Sequence, residues 1–166
     1  MINRRRWLVG TACVTTAAFF AGLRPPAAGA DESPGIFPVS YPEPEWRKRL
    51  TSDQFAVLRQ SGTERPFTST LLDEHRRGAF ACAGCDQESF LSETKFDSHT
   101  GWPSFWAPID GAVGQQEDRS FGIARNAVHC SRCGGHLGHV FNDGPKPTGL
   151  RYCMNGIALS FKPSAA

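Results

Sequence analysis

Cys130-Ser131-Arg132-Cys133-Gly134-Gly135-His136-Leu137-Gly138-His139-Val140-Phe141 holds the densest chemistry of the 166-residue chain. Its first four residues repeat the spacing of Cys82-Ala83-Gly84-Cys85, with 44 residues between the pairs. A two-residue gap lets both sulfurs of a knuckle face one ion, and Gly84 and Gly134 help the backbone turn. Two such knuckles give a tetrahedral four-sulfur site with no open position, which suits structural zinc. Cys82, Cys85, Cys130 and Cys133 are therefore the expected metal ligands. A site of this kind contributes about 10–16 kcal/mol to folding. Two disulfides are the alternative reading. Neighbouring Cys-x-x-Cys disulfides are usually redox-active and follow a strand in a βαβ context, which this sequence does not show.

Working outward, the pattern from Ala79 onward is of short apolar runs broken every few residues by Gly or Pro, as in short antiparallel strands. Upstream, Pro44 suits the first turn of a helix through Glu45–Leu50. Thr51 with Gln54 forms a capping-box pattern and starts a second helix with Phe55 and Leu58 inward. Gly62 to Phe67 reads as a loop, and Leu71 to Arg77 as a short helical turn. The expected class is mainly β with a small helical lead-in.

The segment Gly134 to Asp143 packs two His among three Gly and reads as a loop. His136 and His139 are candidate acid–base groups or metal ligands, with solvated loop histidines as the alternative. Just downstream, Leu150 to Asn155 alternates. Leu150, Tyr152 and Met154 fall on one face of a strand, and Arg151, Cys153 and Asn155 on the other. Gly156 then permits a bulge or bend. Cys153 is unpaired and shares its face with a cation and an amide, so it is a candidate nucleophile; a buried core cysteine is the alternative. A free thiol titrates near about 8.5, so an attacking cysteine needs neighbours that favour the thiolate. Arg151 and a nearby imidazolium could supply that. Trp102, in the rigid turn Gly101-Trp102-Pro103, could wall a small apolar group.

The formal net charge of +2 misleads. Residues 1–30 hold Arg4, Arg5, Arg6 and Arg24 and no acid, and the remainder carries fourteen basic against sixteen acidic residues. That balance argues against nucleic acid as the main partner. Residues 1–30 read as a cleavable leader: Arg4-Arg5-Arg6, a mildly apolar run to Leu23, then Ala28-Gly29-Ala30. The paired arginines resemble a twin-arginine export signal, which implies a periplasmic or exported protein and the loss of Cys13. An uncleaved anchor is the alternative. Residues 31–43 read as a linker, 44–162 as one domain, and 163–166 as a tail. The expected oligomeric state is a monomer.

Several long motifs carry a resemblance. Thr94-Lys95-Phe96-Asp97-Ser98, Gly101-Trp102-Pro103-Ser104-Phe105, Cys133 through Phe141, and Gly144-Pro145-Lys146-Pro147-Thr148-Gly149-Leu150-Arg151-Tyr152-Cys153 resemble the B-type methionine sulfoxide reductases. The resemblance covers about residues 44–162. It implies a β-tent of two antiparallel sheets, one structural zinc per chain, and reduction of the R epimer of methionine sulfoxide, in oxidised proteins or free. It matches Cys153 to the catalytic cysteine and His136, His139, Arg151 and Asn155 to the polar site. Trp102 and Phe141 match the substrate-binding positions. It also implies a thioredoxin-like thiol reductant, or a membrane-linked thiol relay if the protein is exported. Many members carry a resolving cysteine where this chain has Thr100, which leaves Cys153 dependent on an external thiol. Two other classes remain open at this point: a non-catalytic zinc-ribbon binding module, and a thiol-disulfide oxidoreductase using the paired cysteines.

Overall fold

The computed structural model describes residues 37–122 and 124–165. The leader read from residues 1–30, with Cys13, and the first part of the linker lie outside the described residues. Among the described residues, no helix is long and apolar enough to cross a membrane.

Helix α1 spans Glu43–Arg49, with Pro44 in its first turn, Glu43 and Glu45 near its N-terminus and Arg47, Lys48 and Arg49 in its last turn. That charge order complements the helix dipole. Helix α2 spans Ser52–Gln60 and begins with the expected capping box. The Gln54 amide donates to Thr51 Oγ1 at 3.2 Å, and the Thr51 amide donates to Gln54 Oε1 at 3.1 Å. Both helices bury one face, Trp46 from α1 and Phe55, Val57 and Leu58 from α2. The turn expected over Leu71–Arg77 is a shorter 3-10 helix, Thr70–Asp73, capped by Ser69.

Nine strands follow among the described residues. They are β1 (Gly78–Cys82), β2 (Glu88–Leu91), β3 (Lys95–Phe96), β4 (Ser104–Phe105), β5 (Val113–Asp118), β6 (Arg125–Cys130), β7 (His136–Phe141), β8 (Arg151–Met154) and β9 (Leu159–Pro163). They form two antiparallel sheets, ordered β2-β1-β9 and β3-β4-β8-β7-β6-β5. The mainly-β, two-sheet expectation holds. Aromatic rings fill the core. Phe90 stacks on Phe105 at 4.5 Å between centroids, and Phe80 meets Phe105 edge-on at 4.9 Å. Each such pair adds about 0.5–1.5 kcal/mol beyond burial alone.

One expectation is corrected. The His-rich segment is not a loop: residues 136–141 form β7, a central strand of the larger sheet. The pairing with β6 explains why alternation hid it. Val128 faces Gly138 and the next residue, His129, faces His136, so Leu137 is one extra residue in β7. A bulge of this kind changes the parity of the strand. Leu137 and Val140 both reach the core, and the rings of His136 and His139 lie 5.3 Å apart. Gly138 marks a close approach between strands: a Cβ there would lie 2.2 Å from the Cys153 carbonyl oxygen.

Strand β8 follows the predicted alternation. Tyr152 and Met154 are buried, and Arg151 and Cys153 face the other way. The bend expected at Gly156 is a 3-10 turn, Gly156–Ala158. A Cβ on Gly156 would overlap the Ser69 hydroxyl, so a larger residue in this turn would have to displace the Ser69 side chain.

Candidate active site and metal centre

The two cysteine knuckles meet across the sheets. Cys82 ends β1 in the smaller sheet, and Cys130 ends β6 in the larger. Left-handed residues follow both pairs, Asp86 and Gly134, so the chain folds back over its sulfurs. The Arg59 guanidinium donates to the Cys133 carbonyl at 2.9 Å and lies 4.7 Å over the Trp46 ring, which ties α1 and α2 to the second knuckle. All four Sγ atoms lie within 4.8 Å of one another. Zn–S bonds of about 2.3 Å require tetrahedral edges of about 3.8 Å. Cys82 to Cys133 measures 3.7 Å and Cys85 to Cys130 measures 3.5 Å, close to that edge. These lengths are far from a covalent S–S bond of about 2.05 Å, so the alternative of two disulfides does not hold. Hydrogen bonds with Cys130 and Cys133, and then burial, push the Cys82 thiol up, whereas Cys133 and Cys82 pull Cys130 down. A divalent cation would favour the deprotonated form at all four.

None of these four lines the cleft that holds Cys153. That cleft has a volume of about 120 Å³ and is walled by Thr63, Trp102, Arg125, Gly138, His139, Phe141, Cys153 and Asn155. Cys153 lies mid-sheet: Ser104 of β4 faces it from one side and His139 of β7 from the other. Cross-strand partners project to the same face. The strand register therefore delivers hydroxyl, thiol and imidazole in a row.

Trp102 forms one wall. Its indole Nε1 donates to the Glu64 carbonyl at 3.0 Å, and the Glu64 amide donates to Asn155 Oδ1 at 2.9 Å. Asn155 Nδ2 also donates to the Leu137 carbonyl at 3.1 Å. The main chain of Glu64 thus joins two walls of the cleft. Gly101 permits this. At φ 88°, a side chain there would press within 2.8 Å of the Phe67 amide nitrogen.

His139 has a partner that sequence reading did not find. Its Nε2 lies 2.8 Å from Asp118 Oδ2, and Arg125 donates to the same oxygen at 2.8 Å. Ser120 binds Asp118 Oδ1 through its hydroxyl at 2.6 Å and its amide at 2.8 Å. The Ser120 hydroxyl, then His139, then the Ser120 amide and Arg125 hold the Asp118 carboxyl well below the usual carboxylate range. A carboxylate so held fixes the orientation of the imidazole. Asp118 and Arg125 are themselves cross-strand partners on the β5–β6 hairpin. The only sequence signal was an opposite-charge pair flanking a short Asp-x-Ser turn.

Arg151 shares the Cys153 face but is engaged. It makes a two-point ion pair with Asp143, at 2.8 Å from Nε and 2.8 Å from Nη2, and its guanidinium lies 4.4 Å over the Phe141 ring. Asp143, and more weakly the Cys153 sulfur, hold that guanidinium protonated.

The two histidines differ. His139 lines the cleft, whereas His136 is buried, lies outside its lining, and has no hydrogen-bond partner for Nε2 among the described residues. Burial, and then the His139 charge, pull His136 down to about 4. A base held low in the folded state stays neutral there, while the unfolded chain takes up a proton once pH drops below the ordinary value near 6.5. Stability therefore falls as pH drops from about 6.5 to about 4, by about 3 kcal/mol at most for this group. His136→Gln should flatten that loss, read as urea midpoints at pH 7 and pH 4.5. An unchanged acid limb would assign the sensitivity elsewhere.

A closed thiol set that holds the fold, apart from one thiol beside an acid–base pair, is the division of labour of a thiol-dependent oxidoreductase. Comparisons agree. The family model described as SelR domain matches residues 50–163. The protein named peptide methionine sulfoxide reductase MsrB of Leptospira interrogans is 50% identical over 127 residues, covering 76% of this chain and 97% of that one. The MsrB of Leifsonia xyli is 53% identical over 135 residues, covering 80% and 97%. The MsrB of Methanosarcina barkeri is 54% identical over 125 residues, covering 75% and 88%. Among solved structures, the Mis18 'Yippee-like' domain aligns at 19% identity with a TM-score of 0.45, covering 55% of this chain and all of that one. The chain belongs to the SelR-domain family, the B-type methionine sulfoxide reductases.

Proposed function

We propose that this chain reduces the R epimer of methionine sulfoxide, in oxidised proteins or free, with Cys153 as nucleophile. The position of Cys153 carries the reading, flanked across the sheet by His139 and set in a small cleft with an indole wall. Trp102 and Phe141 offer apolar surface to the substrate methyl group. The Cys153 thiolate attacks the sulfoxide sulfur and forms an S–S bond. His139, oriented by Asp118, gives its proton to the oxygen, which otherwise leaves poorly. Asn155 has a second Nδ2 hydrogen for the developing oxygen charge, and Arg151 adds a positive field. The methionine S–O bond and the transient S–S bond then break, the protonated oxygen passes to the Cys153 sulfur as a sulfenic acid, and methionine departs. An external dithiol then forms a mixed disulfide with loss of water, and its second thiol releases Cys153.

The metal in this proposal is one zinc per chain, held by Cys82, Cys85, Cys130 and Cys133 and serving the fold. The reductant is thioredoxin-like. If the Arg-led first thirty residues direct export, a membrane-linked thiol relay must supply the electrons; cell fractionation decides which.

The test uses the separated R and S epimers. Turnover is expected on R alone. A single round without reductant should yield one methionine per chain and a sulfenic acid trapped on Cys153 by mass spectrometry. Turnover on the S epimer, or a disulfide from Cys153 to another cysteine of the chain, would overturn the scheme.

A further inference from the structure

Cys153 has a second polar neighbour that the proposed chemistry does not use. Thr100 Oγ1 lies 3.6 Å from the Cys153 sulfur. Ser98 Oγ lies 2.8 Å from Thr100 Oγ1 and 2.7 Å from Ser104 Oγ, and Ser104 Oγ reaches the Trp102 carbonyl at 3.1 Å. Three hydroxyls thus run from a backbone carbonyl to the sulfur. Ser104 is fully buried and is the cross-strand partner of Cys153, so the chain is anchored in the sheet. The bend that carries Ser98 and Thr100 is fixed too: Asp97 Oδ1 accepts from the His99 amide at 2.8 Å, with His99 left-handed at φ 57°.

Resting on the reading of Cys153 as nucleophile, we infer that Thr100 is the hydrogen-bond donor that stabilises the Cys153 thiolate, through a hydroxyl chain whose direction reverses with the state of the sulfur. With the thiol protonated, each hydrogen points inward: Cys153 to Thr100, Thr100 to Ser98, Ser98 to Ser104, Ser104 to the Trp102 carbonyl. When the thiol proton leaves for His139 or solvent, the three hydroxyls rotate. Thr100 then donates to the sulfur anion, Ser98 to Thr100, and Ser104 to Ser98. No atom is gained or lost in the reversal. Each hydroxyl carries one donor hydrogen and accepts through its lone pairs, so all three donate in both arrangements, and the reversal gives up only the bond from Ser104 to the Trp102 carbonyl. Hydrogen bonds to an anion are about twice as strong as neutral ones, so the chain favours the ionised sulfur.

The charged groups around the sulfur come from other directions. Arg151 lies on the same strand, His139 with Asp118 on the β7 side, and Arg125 in the cleft lining. From β4 and the bend before it, the polar group that meets the sulfur is the Thr100 hydroxyl. Thr100 does not line the cleft, so its effect falls on the nucleophile and not on substrate binding.

The experiment measures the alkylation rate of Cys153 by iodoacetamide against pH, read by peptide mapping, in the full chain with its metal bound. In Thr100→Val and Thr100→Ala the rate at pH 7 should fall about tenfold, with the profile midpoint about one pH unit higher. Thr100→Ser keeps the donor and should stay within about twofold of wild type. The kcat should fall by the same factor as alkylation, with KM unchanged. Melting temperature and metal content screen for misfolding, and two hydroxyl-free variants differing in bulk guard against the loss of one. Wild-type alkylation in both Val and Ala would overturn the inference. So would a Ser variant as slow as Val, which would mark a packing effect. Turnover surviving in Cys153→Ser would instead sink the nucleophile reading itself, so the two failures are distinct.

Discussion

Cys153→Ser is expected to abolish methionine sulfoxide reduction, by at least about 10³-fold in turnover, with fold and metal content intact. The serine hydroxyl is poorly ionised at neutral pH and is a weak nucleophile toward sulfur. The product it would form is worse. Oxygen transfer to sulfur yields a sulfenic acid, whereas transfer to oxygen would yield a hydroperoxide with a weak O–O bond. No slow alternative route is open to the variant. The swap is close in shape, and Cys153 is not part of the apolar core, so melting temperature should change little. The check pairs an R-epimer turnover assay with a thermal melt. Activity above about one per cent of wild type in a fully folded variant would remove Cys153 from the central role.

Removing the metal is expected to unfold the protein. A four-cysteine structural site contributes about 10–16 kcal/mol, comparable with the whole net stability of about 5–15 kcal/mol for a domain. Here the site clips β1 of one sheet to β6 of the other, and Cys82, Cys130 and Cys133 are buried. Without a cation, four crowded sulfurs remain in the interior with no countercharge. Chelation, or Cys130→Ser, should abolish the cooperative thermal transition and with it all turnover. Elemental analysis should give one zinc per native chain. A metal-free protein that melts at the native temperature would show that the aromatic core suffices. A native chain with its four knuckle thiols in disulfides would revive the oxidoreductase alternative.

The parts of this fold that were legible in the sequence are those whose signal is local. The knuckles show as a two-residue spacing, α2 shows as a capping box four residues wide, and β8 shows as strict alternation. Strand β7 was not legible because its extra residue, Leu137, breaks the period, and because Gly138 resembles a loop residue until its contact with the neighbouring strand is known. Asp118 was missed for a related reason. It stands 21 residues before His139, and only the register of three strands brings the two together. The tie from Trp102 through Glu64 to Asn155 spans 91 residues and runs through main-chain atoms, which leave no mark in side-chain identity.

The placement of Cys153 has a mechanical consequence. Its strand is bonded on both sides, to β4 and to β7, in the interior of a six-stranded sheet. Core strands are the last elements of a fold to open. A sulfur carried on a mobile loop can swing out to meet its electron donor; this one is moored. On the proposed scheme the donor must therefore bring its own sulfur down into a narrow cleft beside Trp102, and its mobility has to supply the travel that the rigid sheet denies to Cys153.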